Sequence, residues 1–542
     1  MRVQLVELDL IRNKAVLPEM AGLEGWNGRP WGALSAYPQA VESFETLRYS
    51  DAGYVSDDHT PYPPYVIQGL SLTRALTFSA EALGGSYSVG ALEIANPDGA
   101  LSGLLQSRVN DHLPVRIRAG RKDWDASRQI WRDPPYDATA PVFAGLGRNW
   151  QPGPTGFEVP LLDATYWLDT AMPTRSYGGG GGLDGDKNVV GRSHPRLRGM
   201  CRNITPILID AVNLVYQLSD AEAEITAVYE GGFGGGIAFG GRVDDLYAAP
   251  PAPGHYTIQH SPAGTWLRLG TKPVYAITLD ATGRFPSGAA PHGLLSLLRQ
   301  MLIEDLTLPA NFIDPGWDAV SESYDPSGGW YWDGGENVSG RGVCNTLLSG
   351  LGISLIPTRT GTLRPFLMRR VCDDVPELRY LSADVIARIA PMRLDASLDP
   401  PPWRWRVGYA HNFTRQIHLN DLHPQISVDQ RNFIAESDRA ALWVSTAVKS
   451  DWRVPSDPPL LTTALAQESD AAAIADRLGD VWGRRRHMWA IDVPRDMATG
   501  FELGDTVFLR APIPGAEDGA RGTVIGEMSN ALDPTTTLTL LV

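Results

Sequence analysis

Short runs in which polar and apolar residues alternate recur along the whole chain, separated by turns rich in Gly and Pro. Examples are LTRALTF (72–78), PVRIRAG (114–120) and TLTLLV (537–542). Each has the period of two that is typical of a β-strand with one buried face. The 56 Gly and 42 Pro residues are spread along the chain without a period, which indicates many turns. We therefore predict a mainly β protein with a few helices, of the β-rich α+β class.

Two distant stretches show the same order of strand, gap, strand with an internal Gly, turn and final strand. The first contains PVRIRAG, VFAGLGRNW and FEVPLLD, and the second contains DTVFLRAP, GTVIGEMSN and LTLLV. One interpretation is that the chain holds two related small β-barrels. The alternative is that any two three-stranded meanders look alike, because short strands carry little specific information.

The 542 residues are enough for several domains. Helical spacing of Leu and Met predicts a helix over 293–306, and a second helix over 469–486 can be capped by Ser469 or Asp470. The segment YGGGGGLDGDKN (177–188) is either flexible or tightly turned. We predict an N-terminal strand with an extended Pro/aromatic arm (1–65), a first β-barrel (66–170), a Gly-rich linker and connecting segment (171–245), a mixed α/β domain (246–395) and a second β-barrel with a long helix (396–542).

Charge and cysteine content limit the classes of protein that this chain can represent. The formal net charge is −15, and a net-acidic chain is a poor general binder of nucleic acid because phosphate contacts need a positive surface. Only five of the 47 basic residues are Lys, and the others are Arg. Arg is favoured at protein interfaces, which is one explanation for this excess. The alternative explanation is a GC-rich coding sequence. Three Cys residues exclude a disulfide framework and a four-thiolate zinc site. We expect no signal peptide, no membrane span and folding in a reducing cytoplasm.

Motifs for catalysis or cofactor binding are absent or lack their structural context. No Walker A motif occurs, and Gly180, Gly182 and Gly185 match GxGxxG without a preceding parallel strand. Cys344 lies at the start of a short predicted helix but is better explained as a buried small side chain. We therefore predict no catalytic, cofactor-binding or metal-binding residue, and no enzymatic activity.

One carboxylate pair supports an alternative function. WYWDGGEN places Asp333 and Glu336 beside three aromatic residues, in a segment (330–342) that we predict to be a loop. A cleft formed by Trp330, Trp332, Asp333 and Glu336 would suit a carbohydrate-binding or glycoside-cleaving protein that acts on cell-surface polysaccharide. The competing interpretation is that Trp and Tyr hold loops and interfaces together.

Several longer patterns resemble one protein family. They are GGSYSVGALEIANPDGALSGLL, the segment from YGGGGGLDGDKN to LVYQLSD, and the ending FELGDTVFLRAP…GTVIGEM…LTLLV. Together they span about 72–542 and resemble the baseplate hub, or tail-tip, proteins of long-tailed, siphovirus-like bacteriophages. The resemblance implies two similar β-barrels per subunit and a homotrimer, whose pseudo-sixfold ring would match a hexameric tail tube or distal tail protein. It places the protein in the virion, at the tail tip, after synthesis in the cytoplasm of the host bacterium.

The same resemblance implies the partners. They are the distal tail or tail tube protein, the tape-measure protein, and the central fibre or other tail-tip proteins, while DNA passes through the ring without sequence-specific recognition. A role as distal tail or fibre-attachment protein is a third possibility. Aromatic residues in loops are expected to anchor such contacts. The candidate interface residues are Trp26, Trp31, Tyr62, Tyr65, Trp330 and Trp332.

Overall fold

The computed structural model describes residues 1–12, 45–80, 83–97, 99, 101–153, 155–369, 371, 379–531 and 533–542. Strands account for 42% of the chain and helices for 17%, and the strands form several separate sheets. The chain is a β-rich, multidomain protein, which confirms the fold class predicted from the alternating runs. None of the helices in the described ranges is both long and apolar enough to cross a membrane.

The described residues before residue 170 lie mostly in β-strands and the turns between them. The strands and the one short α-helix among these residues are β1 (Arg2–Arg12), β2 (Glu45–Ser50), β3 (Tyr54–Val55), β4 (Pro61–Tyr62), β5 (Val66–Gln68), β6 (Ser71–Phe78), β7 (Leu83–Val89), β8 (Ala91–Ala95), α1 (Ser102–Ser107), β9 (Arg108–Val109), β10 (Pro114–Arg121), β11 (Asp123–Asp125), β12 (Ile130–Arg132), β13 (Ala140–Gly147), β14 (Gln151–Pro152) and β15 (Gly156–Leu162).

The first sheet has the strand order β2-β1-β10-β13-β15-β8-β5, and its neighbouring strands are antiparallel. Val6, Leu8 and Leu10 of β1 are fully buried in its core, as the alternation in this strand requires. β10, β13 and β15 form the predicted meander, with β13 and β15 paired across the Pro/Gly turn. Because β1 pairs with β10 along seven residues, this sheet extends across the predicted boundary at residue 65.

The second face of β1 is covered by the segment that follows β2. Val3 and Leu5 pack against Tyr54 and Tyr62 in a small separate cluster. The described half of the predicted arm, residues 45–65, is therefore part of the first sheet and its covering layer.

The middle of the chain forms two larger sheets, the separate β25–β26 hairpin, three α-helices and two strands of the C-terminal sheet. The elements are β16 (Arg196–Ile204), β17 (Ile207–Asp210), β18 (Val215–Ser219), β19 (Ala223–Glu230), β20 (Ala238–Arg242), β21 (His255–Ser261), β22 (Gly264–Leu269), β23 (Ile277–Gly283), α2 (Leu294–Gln300), α3 (Gly316–Ser323), β24 (Gly329–Trp332), α4 (Gly340–Leu348), β25 (Ile353–Pro357), β26 (Leu363–Leu367), β27 (Arg379–Ser382) and β28 (Arg388–Met392).

These two sheets share one core. The first has the order β19-β23-β16-β24 and the second β17-β18-β22-β21-β20. Leu197 and Leu279 of the first sheet are fully buried in the same cluster as Leu218 and Leu267 of the second. Since β18 pairs with β22, the sheets extend across the predicted boundary at residue 245.

The Gly-rich segment before β16 is tightly turned. The Asp184 carboxylate accepts hydrogen bonds from the backbone N–H groups of Gly178 at 2.9 Å and Gly180 at 3.0 Å. Gly179 and Gly181 have φ values of 76° and 91°, which side chains other than Gly rarely adopt. Of the two interpretations of this segment, the structure supports the turn.

The last part of the chain adds one hairpin, four helices and the strands of the C-terminal sheet. Its elements are β29 (Arg404–Tyr409), α5 (Val428–Ala435), β30 (Arg439–Val444), α6 (Thr446–Asp451), α7 (Glu468–Trp482), β31 (Met488–Pro494), α8 (Arg495–Ala498), β32 (Thr506–Arg510), β33 (Ala520–Asn530) and β34 (Thr535–Leu541).

The C-terminal sheet has the order β27-β32-β33-β34-β31-β28 and contains the second predicted meander, β32-β33-β34. The β6–β7 hairpin joins it, because residues 71–75 of β6 pair with residues 526–530 of β33. Two strands that precede β8 in the chain thus belong to the sheet at the opposite end of the sequence.

The two predicted helices form, with different ends. The first comprises α2 and a π-helical turn, Met301–Asp305, and its Leu residues are buried as the spacing predicts. α7 ends at Trp482 and not at residue 486, since Gly483 leaves the helical conformation. The predicted cap is wrong: the N-cap residue is Gln467, and the Asp470 carboxylate accepts hydrogen bonds from the backbone and hydroxyl of Ser327.

Candidate assembly surfaces

Tyr62 is fixed within the chain. Its side chain is 3% exposed, and its hydroxyl donates to Glu7 Oε1 at 2.6 Å. Tyr136 donates to the same oxygen at 3.0 Å, and Arg116 donates to Glu7 Oε2 at 3.0 Å. Burial by itself would raise the pKa of Glu7, but hydrogen bonds from Tyr62, Arg116 and Tyr136 outweigh it, so that the pKa is lowered. The hydroxyl of Tyr62 therefore attaches the segment 51–65 to β1.

Tyr65 is half-buried, and its ring stacks on that of Tyr49 with 5.9 Å between the centroids. Trp26 and Trp31 lie outside the described residues. The interface roles predicted for Tyr62, Tyr65, Trp26 and Trp31 stay predictions.

Trp330 and Trp332 lie in a strand, so the loop predicted over 330–342 is wrong at its start. β24 pairs with β16 in an antiparallel sheet. The side chains of Trp330 and Trp332, which lie on the same face of β24, are buried in the main hydrophobic core. The two side chains are 4% and 7% exposed. Trp332 Nε1 donates to the backbone carbonyl of Glu336 at 2.9 Å. Their indole rings are thus largely occupied by packing within the chain.

The two carboxylates of the alternative sugar-cleaving function are both exposed. Arg192 Nη2 lies 3.0 Å from Asp333 Oδ2, and Arg192 also donates to the backbone carbonyl of Asp333. Glu336 is exposed beyond the turn. Since Trp330 and Trp332 are buried, the residues predicted for a sugar cleft do not form a flat aromatic platform at these carboxylates.

The thiols and metal ligands offer no reactive site in the described part of the chain. Cys344 is buried in the main core, and burial raises the pKa of its thiol to about 12. Burial also raises the pKa of Cys201. No group of three or more His, Cys, Asp or Glu residues within the described ranges could hold a metal ion.

A buried network of two Arg and two Glu residues joins β6 to the C-terminal sheet. Arg74 lies 2.8 Å from Glu502 and 2.7 Å from Glu527. Arg359, from the turn between β25 and β26, lies 2.6 Å from Glu527. Arg74, Arg359 and Glu527 are at most 5% exposed. Burial would raise the pKa of Glu502, but the attraction of Arg74 and Arg359 lowers it. Paired charges of this kind hold three distant segments in one arrangement.

An exposed aromatic hairpin projects from the first sheet. β11 and β12 pair only with each other, and Trp124 lies directly opposite Trp131. The ring centroids are 5.2 Å apart, and the side chains are 50% and 45% exposed. Sequence analysis missed this hairpin, although the two Trp residues flank a short polar turn, which is a hairpin signal.

An aromatic cavity of about 390 Å³ opens between β16, β24 and α4. Trp330 and Tyr331 line it from β24, Met200 and Arg202 line it from β16, and Phe413 lies beside Tyr331 with 5.8 Å between the ring centroids. Exposed residues of α4, among them Thr346, lie at its edge. The size and lining are those of a site that takes an apolar or aromatic group.

No family model matches the chain, and no curated protein matches it. Several solved structures do match the chain. A chain of the virion of native gene transfer agent (GTA) particle is 14% identical with a TM-score of 0.35, and the match covers 65% of this chain and 84% of that one. The tail protein from Neisseria meningitidis MC58 is 10% identical with a TM-score of 0.37, covering 90% and 96%. The prophage MuSo2 43 kDa tail protein from Shewanella oneidensis is 10% identical with a TM-score of 0.33, covering 89% and 96%. These structural neighbours are virion and phage tail proteins.

Proposed function

We propose that the chain is a structural subunit of a phage tail, the baseplate hub at the tail tip. Three copies form a ring that joins the distal tail or tail tube protein above it to the central fibre or tip proteins below it and contacts the end of the tape-measure protein. The ring carries out no chemistry, and DNA passes through it.

The observation that carries this proposal is the presence of two antiparallel meanders, β10-β13-β15 and β32-β33-β34, in two different sheets of one chain. If each meander belongs to one barrel-like lobe, a trimer presents six lobes. A cyclic trimer of two-lobed subunits can then meet a hexameric tube with approximate sixfold symmetry. The family resemblance of residues 72–542 supports the same assignment.

Negative-stain electron microscopy of the purified chain, with its solution mass measured alongside, tests the proposal. We expect a three-fold ring with six lobes. Immunogold labelling of the assembled particle should place the chain at the tail tip, and deletion of its gene should abolish infectious tails. Normal infectious tails without this protein would contradict the proposal.

A further inference from the structure

The Gly-rich segment is the tip of a longer excursion of the chain, residues 175–194, which packs on the β17-β18-β22-β21-β20 sheet. The two arms of this excursion are joined by backbone hydrogen bonds, among them one from the His194 N–H to the Arg175 carbonyl at 2.8 Å. Tyr177 and Val189 of the excursion share a small hydrophobic core with apolar side chains of β17, β18 and β22. The excursion therefore covers apolar surface of that sheet.

One buried amide, that of Gln217 on β18, connects the excursion to the sheet. Its Oε1 atom accepts a hydrogen bond from the Tyr177 hydroxyl at 2.5 Å, and its Nε2 atom donates to the Ser219 carbonyl at 3.1 Å. Because a carbonyl oxygen can only accept, the Ser219 contact fixes which end of the amide carries the N–H groups. The second N–H of Nε2 meets His194 Nδ1, 3.2 Å away. His194 therefore accepts at Nδ1, so it is neutral and carries its proton on Nε2.

The half-buried ring of His194 lies beside a positive charge. It stacks on the ring of Tyr177, with 4.2 Å between the centroids and 15° between the planes. Arg175 lies on the same excursion, and its guanidinium donates to two backbone carbonyls, at 2.7 and 3.1 Å. A second positive charge, on the imidazole, is therefore unfavourable here. Burial and the repulsion of Arg175 lower the pKa of His194.

The carboxylates around the ring are already engaged. Asp220, directly after β18, pairs with two buried Arg side chains at 2.7 and 3.0 Å. Asp184, at the tip of the excursion, accepts hydrogen bonds from two Gly N–H groups. Asp333, after β24, lies 3.0 Å from Arg192. The attraction of Asp220 and Asp184 for a protonated His194 is thus smaller than the opposing effects.

We propose that His194 is a pH-sensitive latch, which holds the Gly-rich excursion on the sheet when it is neutral and releases it when it is protonated. A protonated ring carries an N–H at Nδ1, which faces the N–H of Gln217 and leaves two donors in contact. The amide cannot turn over to accept, since its oxygen would then face the Ser219 carbonyl. Release uncovers the apolar surface beneath Tyr177 and Val189. This inference does not depend on the proposed function.

Hydrogen exchange of the full chain at pH 7.5 and pH 5.0, corrected for the intrinsic effect of pH, tests the latch. We expect the amides of 175–194 to exchange at least about threefold faster at pH 5.0, and those of β10, in another sheet, to show no such change. His194→Asn places an amide oxygen close to the position of Nδ1, where it accepts from Gln217 and does not titrate. Its excursion should be equally protected at both pH values. A wild-type excursion that does not open in acid, or acid opening that persists in His194→Asn, would overturn the proposal.

The matched control is His59→Asn. His59 is exposed and has a φ of 62°, a conformation that Asn tolerates, so this variant should open in acid as the wild-type protein does. The wild-type protein provides a second test through ¹⁵N labelling of its His side chains. The His194 signals are assigned from their loss in His194→Asn or His194→Gln. At pH 7.5 they should be those of the Nε2–H tautomer, and the Nδ1–H tautomer would contradict the latch.

Discussion

At the scale of single residues, the most informative groups are buried polar side chains whose partners lie far away in sequence. Glu7 has three such donors, and the closest is Tyr62, which is 55 residues away. From the sequence, Tyr62 was a candidate interface aromatic. The structure gives its hydroxyl a partner inside the chain, and no local pattern around residue 62 signals that partner.

We expect Tyr62→Phe to lower the free energy of unfolding at pH 7 by about 1.5–3 kcal/mol, the ordinary worth of a hydrogen bond to a charged group. The pKa of Glu7 is lower in the folded chain than its ordinary value of 4.5. The ionised carboxylate therefore stabilises the folded chain above pH 4.5, and this contribution is lost as the pH falls through the pKa of the folded state. The cost of Tyr62→Phe should therefore shrink below about pH 4.5. Urea unfolding at a series of pH values measures it.

The control is Tyr65→Phe, which retains the ring that stacks on Tyr49 and is expected to change the free energy of unfolding by less than about 0.5 kcal/mol. A cost of Tyr62→Phe that is the same at pH 7 and pH 3 would show that the hydroxyl does not act through the ionised carboxylate.

At the scale of secondary-structure elements, α7 shows how packing can reverse a local preference. Its buried face of Ile474, Leu478 and Trp482 follows from helical spacing. Gly479 lies inside the helix, where Gly is unfavourable, and the sequence pattern gives no reason for a Gly at this position. A Cβ atom at this position would overlap the ring of Trp443 on β30. The close approach of α7 to the β29–β30 hairpin therefore requires Gly at this position.

Gly479→Ala should accordingly destabilise the protein, although Ala is favoured over Gly in a helix by about 0.5–1 kcal/mol. Overpacking against Trp443 costs about 1–3 kcal/mol and outweighs that gain. In a Trp443→Ala background the clash is absent, and Gly479→Ala should stabilise the protein by about 0.5–1 kcal/mol. Thermal and urea unfolding of the four proteins of this cycle measure the coupling. The same sign in both backgrounds would contradict the packing explanation.

At the scale of the whole molecule, the β6–β7 hairpin ties the first part of the chain to the last. β6 lies along β33, and Arg74 of β6 is held by Glu502 and Glu527. The pairing and the ion network make the C-terminal sheet depend on residues more than 400 positions earlier in the chain.

We expect Arg74→Met to lower the free energy of unfolding by about 3–5 kcal/mol, since it leaves buried carboxylates short of a partner. The backbone amides of residues 71–78 and 526–530 should exchange their hydrogens faster than in the wild-type protein. The backbone amides of β1 and β10 should exchange at the wild-type rate. The control is Arg388→Met in the same sheet. Arg388 is 70% exposed and lies 3.4 Å from Asp492, so its loss should cost less than about 1 kcal/mol. Faster exchange in β6 alone would contradict the coupling.

The sequence by itself determined the β-rich class, both meanders, and the buried faces of α2 and α7. These features depend on spacing within one short segment, because side chains alternate along a strand and repeat every 3.6 residues along a helix. The tertiary structure decided the features that join distant segments. It placed β6 and β7 in the C-terminal sheet, extended sheets across the boundaries expected at 65 and 245, and buried Trp330 and Trp332 by pairing β24 with β16. It also left Trp124 and Trp131 exposed. Long-range pairing is set by which surfaces can be buried together, and a linear pattern of residue types does not specify the partner of each surface.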